Sequence, residues 1–144
     1  MTISIDSWQF WALLSAVFAA LTAIFAKIGI EDINPDFATF VRTIVILLAL
    51  ALILKISGNF PSLSSVSFKT YWWIVLSGLA TGASWVCYFR ALKIGNASQV
   101  APIDKLSVVF VAIFGVLFLG ENLSALNWLG IILIATGALL VMVR

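Results

Sequence analysis

The chain has 144 residues, 63% of them hydrophobic and 10% charged, with a formal net charge of +2 at pH 7 and a mean hydropathy of +1.18. Soluble domains carry about 25% charged residues, so a soluble fold is excluded. A charge this small and scattered also excludes nucleic acid and a polybasic lipid patch. With no His and one Cys, neither a disulfide framework nor a soft-metal cluster can form, and no cofactor is expected. Cys87 reads as a small buried packing residue.

Five apolar stretches fill almost all of the chain. The first, Trp8 to Ala26, has only Asp6 as a charge before it, and its 19 uncharged residues exceed a signal-peptide core, so it is expected to stay in the mature protein. Asn34-Pro35 breaks the chain before the second, Phe37 to Leu54. A Ser-rich connection from Ser57 to Lys69 follows, with Phe60 and Phe68 placed to dip into the membrane interface. The third, Tyr71 to Phe89, ends before Gly95-Asn96; the fourth, Val100 to Leu119, stops at Gly120; the fifth runs from Leu126 to Val143. A hydrocarbon core of about 30 Å needs roughly 20 apolar residues at 1.5 Å each, so every stretch is long enough to span. Runs such as ILLALALIL and IILIATGALLVMV are apolar on every face, which fits helices and not barrel strands of alternating polarity. The fold class is therefore an all-α integral membrane protein with five transmembrane helices, read as a single domain over 1–144 without a linker. Small residues recur at helical spacing: Ala12, Ala16 and Ala20; Gly78 and Gly82; Gly130 and Gly137. They predict close helix approach, because association in lipid depends on tight van der Waals contact.

Basic residues set the expected orientation. Lys55 and Lys69 lie on the side of the N-terminus, and Lys27, Arg90, Lys93 and Arg144 on the other, where Arg42 and Lys105 would raise the count further. The positive-inside rule then puts the N-terminus outside and the C-terminus in the cytoplasm.

Function is sought among ionisable groups near membrane depth, which are costly and face a cavity or a partner. Arg90, with Lys93 behind it, reads as an interfacial anchor. Arg42 lies about 8 Å inside the second stretch, where it either anchors or serves a site. The segment from Asn96 to Ser107 carries Pro102, Asp104 and Lys105 and leaves two structures open. If the helix begins at Asn96, Pro102 lies inside it, frees the Ser98 carbonyl and opens a kinked polar half-turn where a substrate could bind. If it begins near Ala101, Pro102 takes the first helical position and Asp104 complements the helix dipole. Adjacent on a helix, Asp104 and Lys105 point about 100° apart, which favours separate partners over a mutual salt bridge, with Arg42 as a partner for Asp104.

The order and spacing of several short motifs resemble the EamA domain of the drug/metabolite transporter superfamily. These are Tyr88-Phe89-Arg90-Ala91-Leu92-Lys93-Ile94-Gly95, then Ala97-Ser98-Gln99-Val100-Ala101-Pro102, then Phe118-Leu119-Gly120-Glu121-Asn122-Leu123, and Trp128-Leu129-Gly130 with Gly137. Upstream, Ala26-Lys27-Ile28-Gly29 and Phe40-Val41-Arg42-Thr43 are similar to that family's first two helices, and VAPIDKLS to its short single-domain prokaryotic members. The resemblance implies one five-helix EamA-like repeat where most members carry two in opposite orientation, and hence a homodimer or a related partner chain enclosing the site. It implies transport of a small metabolite across the prokaryotic plasma (inner) membrane, and it places Glu121 at a turn near the membrane surface. The related small multidrug transporters use an acidic residue in the first helix, which is absent here, so export of cationic drugs is disfavoured. The expected substrate-binding residues are Arg42, Trp85, Tyr88, Asp104 and Lys105; two bases against one acid favour an anionic or zwitterionic metabolite. The alternative is a small membrane subunit or assembly partner without transport of its own. An enzyme is not expected, because no His, acidic pair or metal-ligand set lies at membrane depth.

Overall fold

The computed structural model describes residues 7–58 and 66–143. Phe60 and most of the Ser-rich connection lie outside them, as does Arg144. Among the described residues there are six helices and no strand: α1 Trp8–Gly29, α2 Pro35–Ser57, α3 Phe68–Ile94, α4 Ala97–Asp104, α5 Ser107–Leu119 and α6 Ala125–Met142. Taking α4 and α5 as one interrupted span, Ala97–Leu119, five segments are long and apolar enough to cross a membrane. The five-span architecture expected from hydropathy is the one observed.

The helices extend beyond the apolar stretches because their ends are capped by polar residues. At α2, the Asn34 side chain accepts from the backbone N–H of Asp36 (2.7 Å) and Phe37 (3.2 Å), and Pro35 sits at a helical start where no N–H is needed. What reads as a chain breaker is thus a cap. Gly58 ends α2 in the left-handed conformation (φ 66°), which a side chain would resist. α5 stops the same way at Gly120 (φ 69°), with the Glu121 N–H reaching back to the Gly115 carbonyl at 3.1 Å. Ser124 opens α6 by accepting from the Asn127 N–H.

Contacts divide the chain into two compact units, one of Ala26–Lys93, the other of the N-terminal part up to Phe25 together with Ile94 onward. In the second unit α6 packs on α4 and α5, and every buried residue is small: Ala23, Ala112, Gly115 and Ala138. Small residues do mediate close packing, but not the glycines singled out by spacing. A Cβ added at Gly78, Gly82, Gly130 or Gly137 would meet nothing within 4 Å, whereas one at Gly115 would lie 2.6 Å from a Glu121 carboxylate oxygen. The spacing marks a face that the described residues leave open at these glycines. Gly82→Leu should accordingly leave the fold of the chain intact, measured as unchanged expression and helicity. A loss of dimer at normal expression would put the exposed part of α3 at a contact between chains.

The Ala26–Lys93 unit is closed at one end by reciprocal caps. Lys27 Nζ donates to the Leu92 carbonyl (2.7 Å), and Lys93 Nζ donates to the carbonyls of Ile30 (2.7 Å), Glu31 (2.6 Å) and Ile33 (3.3 Å). Lys27 thus satisfies a carbonyl in the last turn of α3, and Lys93 satisfies carbonyls of the connection that follows α1. Beneath them Ile30, Phe89 and Leu92 are the largest fully buried side chains described. Most remaining apolar residues are exposed, and so is Cys87, against its expected burial, the pattern expected where lipid is the solvent.

Candidate functional site

Two polar clusters interrupt the spans, one in each unit. In the Ala26–Lys93 unit, α2 and α3 bring together Arg42, Trp85 and Tyr88, three of the residues expected at the site. The Arg42 guanidinium carbon lies 4.0 Å from the centre of the Trp85 ring and 5.3 Å from that of Phe89. Trp85 and Phe89 are one helical turn apart on α3, so one guanidinium can lie across both. Such stacking contributes about 0.5–1 kcal/mol when exposed and roughly 2 when desolvated. Tyr88 packs edge-on against Phe89 at 6.4 Å between ring centres. The hydroxyls nearest Arg42 along α2 are spent within the helix: Thr39 donates to the Pro35 carbonyl (2.9 Å) and Thr43 to the Thr39 carbonyl (2.8 Å).

Phe89 was not among the expected residues. Its signal was the four-residue spacing from Trp85, which appears only once Arg42 is placed beside α3. Asp36 was also missed. Arg90, expected as a bare anchor, donates through Nε to Asp36 Oδ1 (2.9 Å) and through Nη2 to Oδ2 (2.7 Å), a bidentate pair across 54 residues. No local pattern links residues so far apart in sequence. Both side chains are substantially exposed, so the pair fixes geometry more than it stabilises.

In the other unit, Asp104 and Lys105 sit at the interruption of the fourth span. The helix begins at Ala97, so Pro102 is internal, and of the two structures open to sequence the kinked one is observed. Lacking an N–H, Pro102 cannot bond the Ser98 carbonyl. The chain then passes through three-residue bonds, Lys105 N–H to the Pro102 carbonyl (3.1 Å) and Leu106 N–H to the Ile103 carbonyl (2.9 Å), before α5 starts. The expectation of separate partners fails here. Lys105 Nζ lies 3.1 Å from Asp104 Oδ2, because the regular helix ends at Asp104, the 100° offset no longer applies, and the lysine stem is long enough to swing back. Within its own unit Asp104 pairs with Lys105, and within the other Arg42 lies on the Trp85 ring. Among the described residues no three His, Cys, Asp or Glu side chains come together as a metal site requires.

Five apolar helical spans, each interrupted by few polar groups, define a membrane protein of the polytopic helical class. The sequence profile of the EamA-like transporter family matches residues 6–143. The chain belongs to the EamA-like transporter family. It is 62% identical over 138 residues to a Sinorhizobium sp. protein named an uncharacterized transporter in the cobO 3′ region, covering 96% of this chain and 98% of that one. An uncharacterized protein of Methanocaldococcus jannaschii is 32% identical over 129 residues, 89% of this chain and 90% of its own. An uncharacterized transporter of Bacillus subtilis is 27% identical over 136 residues, which is 93% of this chain but 42% of the longer relative. No solved structure matches. Family and relatives' names together point to a membrane transporter rather than an enzyme.

Proposed function

We propose that the chain is a secondary transporter of a small anionic or zwitterionic metabolite, working as a homodimer or with a related chain. The observation that carries this is the Arg42 guanidinium, held within a membrane span against Trp85 and Phe89, since an ionised group at that depth marks a solute path. Arg42, Trp85 and Tyr88 are one group of substrate-binding candidates, and Asp104 and Lys105, at the kink, are a second. Two chains are invoked because a relative more than twice this length has room for two such segments, whereas the Sinorhizobium and Methanocaldococcus relatives are matched over nearly their whole length. Transporter sites built from inverted repeats lie between the repeats, near the midplane. The membrane is the prokaryotic plasma (inner) membrane, with the N-terminus outside and the C-terminus in the cytoplasm by the basic-residue count.

Uptake of a panel of labelled metabolites by purified protein in liposomes tests the proposal. Saturable uptake of at least one anion or zwitterion is expected, and Asp104→Asn and Lys105→Gln should each reduce it at unchanged oligomer size, because each removes a charge that the proposed path presents to the solute. A properly folded dimer that moves nothing in the panel would favour the alternative, a membrane subunit without transport of its own. Reporter fusions give the topology: one placed at Arg144 and one within residues 59–65 should report opposite faces of the membrane, and a common face would contradict five spans.

A further inference from the structure

Charge in the Ala26–Lys93 unit is settled at one end and open in the middle. Arg90 takes both oxygens of Asp36, and Lys27 and Lys93 give ammonium protons to backbone carbonyls. Among the described residues the ion pairs are Arg90–Asp36 and Lys105–Asp104. Arg42 belongs to neither. Its neighbours are ring faces, Trp85 at 4.0 Å and Phe89 at 5.3 Å, and the flanking threonine hydroxyls are donated within α2. Ring faces supply no lone-pair acceptor for the five N–H donors along the guanidinium edge. That edge matches an oxyanion bidentately. An unbalanced cation about 10 Å inside a span that begins at Pro35 is costly until an anion joins it. In the other unit the Asp104 carboxylate is already occupied by Lys105, so a substrate ammonium would have to displace a partner there, whereas a carboxylate at Arg42 displaces none.

We propose that Arg42, stacked on Trp85, binds the single carboxylate of a small organic anion, so that the substrate is a monocarboxylate and not a zwitterion or an amine. Its place in transport rests on the function proposed above, while the binding itself does not. An anionic lipid headgroup, whose phosphodiester has no balancing ammonium, offers the same singly charged oxyanion, and the two sources separate in one experiment. Full-length protein in phosphatidylcholine nanodiscs is titrated calorimetrically with benzoate and butyrate and with the neutral benzamide and butyramide, for the wild type, Arg42→Gln and Arg42→Lys. A parallel set contains phosphatidylglycerol. In the wild type each carboxylate should bind about tenfold or more tightly than its amide, the range of one charge-assisted bidentate contact. Arg42→Gln should erase that difference and Arg42→Lys should keep part of it, because a lysine keeps the charge without the fork. Amides that bind the wild type as tightly as the acids would overturn the proposal. So would the absence of carboxylate binding together with an Arg42-dependent affinity for phosphatidylglycerol, which would assign the guanidinium to headgroups. Liposome uptake of an amine or a neutral solute that survives Arg42→Gln would leave the transporter reading standing and overturn this one. Arg42-dependent carboxylate binding without uptake of any solute would do the reverse.

Discussion

Arg42→Gln is expected to abolish solute uptake while leaving expression and oligomer size unchanged. Glutamine keeps a polar, hydrogen-bonding side chain of moderate length but removes the only charge that α2 holds against Trp85 and Phe89. Loss of one charge-assisted contact costs roughly 1.5–3 kcal/mol of binding, or about ten- to a hundredfold in affinity. A transporter that has to recruit a dilute solute into the membrane is sensitive to that loss. Trp85→Ala should be milder, because it removes a support of about 1–2 kcal/mol and leaves the charge in place. Initial uptake rates across a concentration series check both: glutamine should leave no saturable component, and alanine should raise the half-saturating concentration. Full activity in Arg42→Gln would move the site to the kink at Asp104 and Lys105.

Lys93→Met should be the most damaging single change to the fold, with Leu92→Ala next. Methionine preserves most of the stem but leaves the carbonyls of Ile30, Glu31 and Ile33 without their ammonium donor, and an unsatisfied buried polar group costs about 1–3 kcal/mol. The Ile30 carbonyl matters most, since its residue is buried and water cannot easily substitute. Leu92 is 0% exposed, so truncation opens a cavity. In water Leu→Ala costs about 2–5 kcal/mol. Lipid removes much of the hydrophobic driving force and leaves the packing part, so about 2 kcal/mol is expected. Unfolding in mixed micelles with increasing denaturing detergent should show both variants opening at lower denaturant, and Lys93→Arg, which keeps a cation near the carbonyls, opening later than Lys93→Met.

Much of the architecture was legible because hydropathy is a per-residue property. Five runs of sufficient length define five spans whatever the tertiary contacts, and Gly58 and Gly120 stop α2 and α5 as turn residues should. The ends were less legible, since Asn34-Pro35 breaks a chain or caps a helix with the same two residues. The local preferences of Pro102 suit a first turn and a kink alike; packing of α4 on α6 accompanies the kink. The Asp104–Lys105 pair departs from regular helix geometry because the helix stops at Asp104. Arg42 was recognisable as an anomaly in an apolar run, but its support on Phe89 was not. Asp36 with Arg90 and Lys93 with the α1 end lie more than 50 residues apart, and pairings of that range depend on how helices pack rather than on any local spacing.

The central claim, that two chains build one transport path around Arg42, is tested most directly by mixing. Wild-type and Arg42→Gln chains are combined in varying ratio before reconstitution into liposomes, and uptake is measured against the wild-type fraction. If pairs form at random and both guanidinium groups are needed, an equal mixture contains about one quarter fully wild-type pairs, and uptake should fall to about a quarter. Uptake that falls only to one half at the equal mixture, in strict proportion to the wild-type fraction throughout, would mean that each chain works alone and would contradict the account.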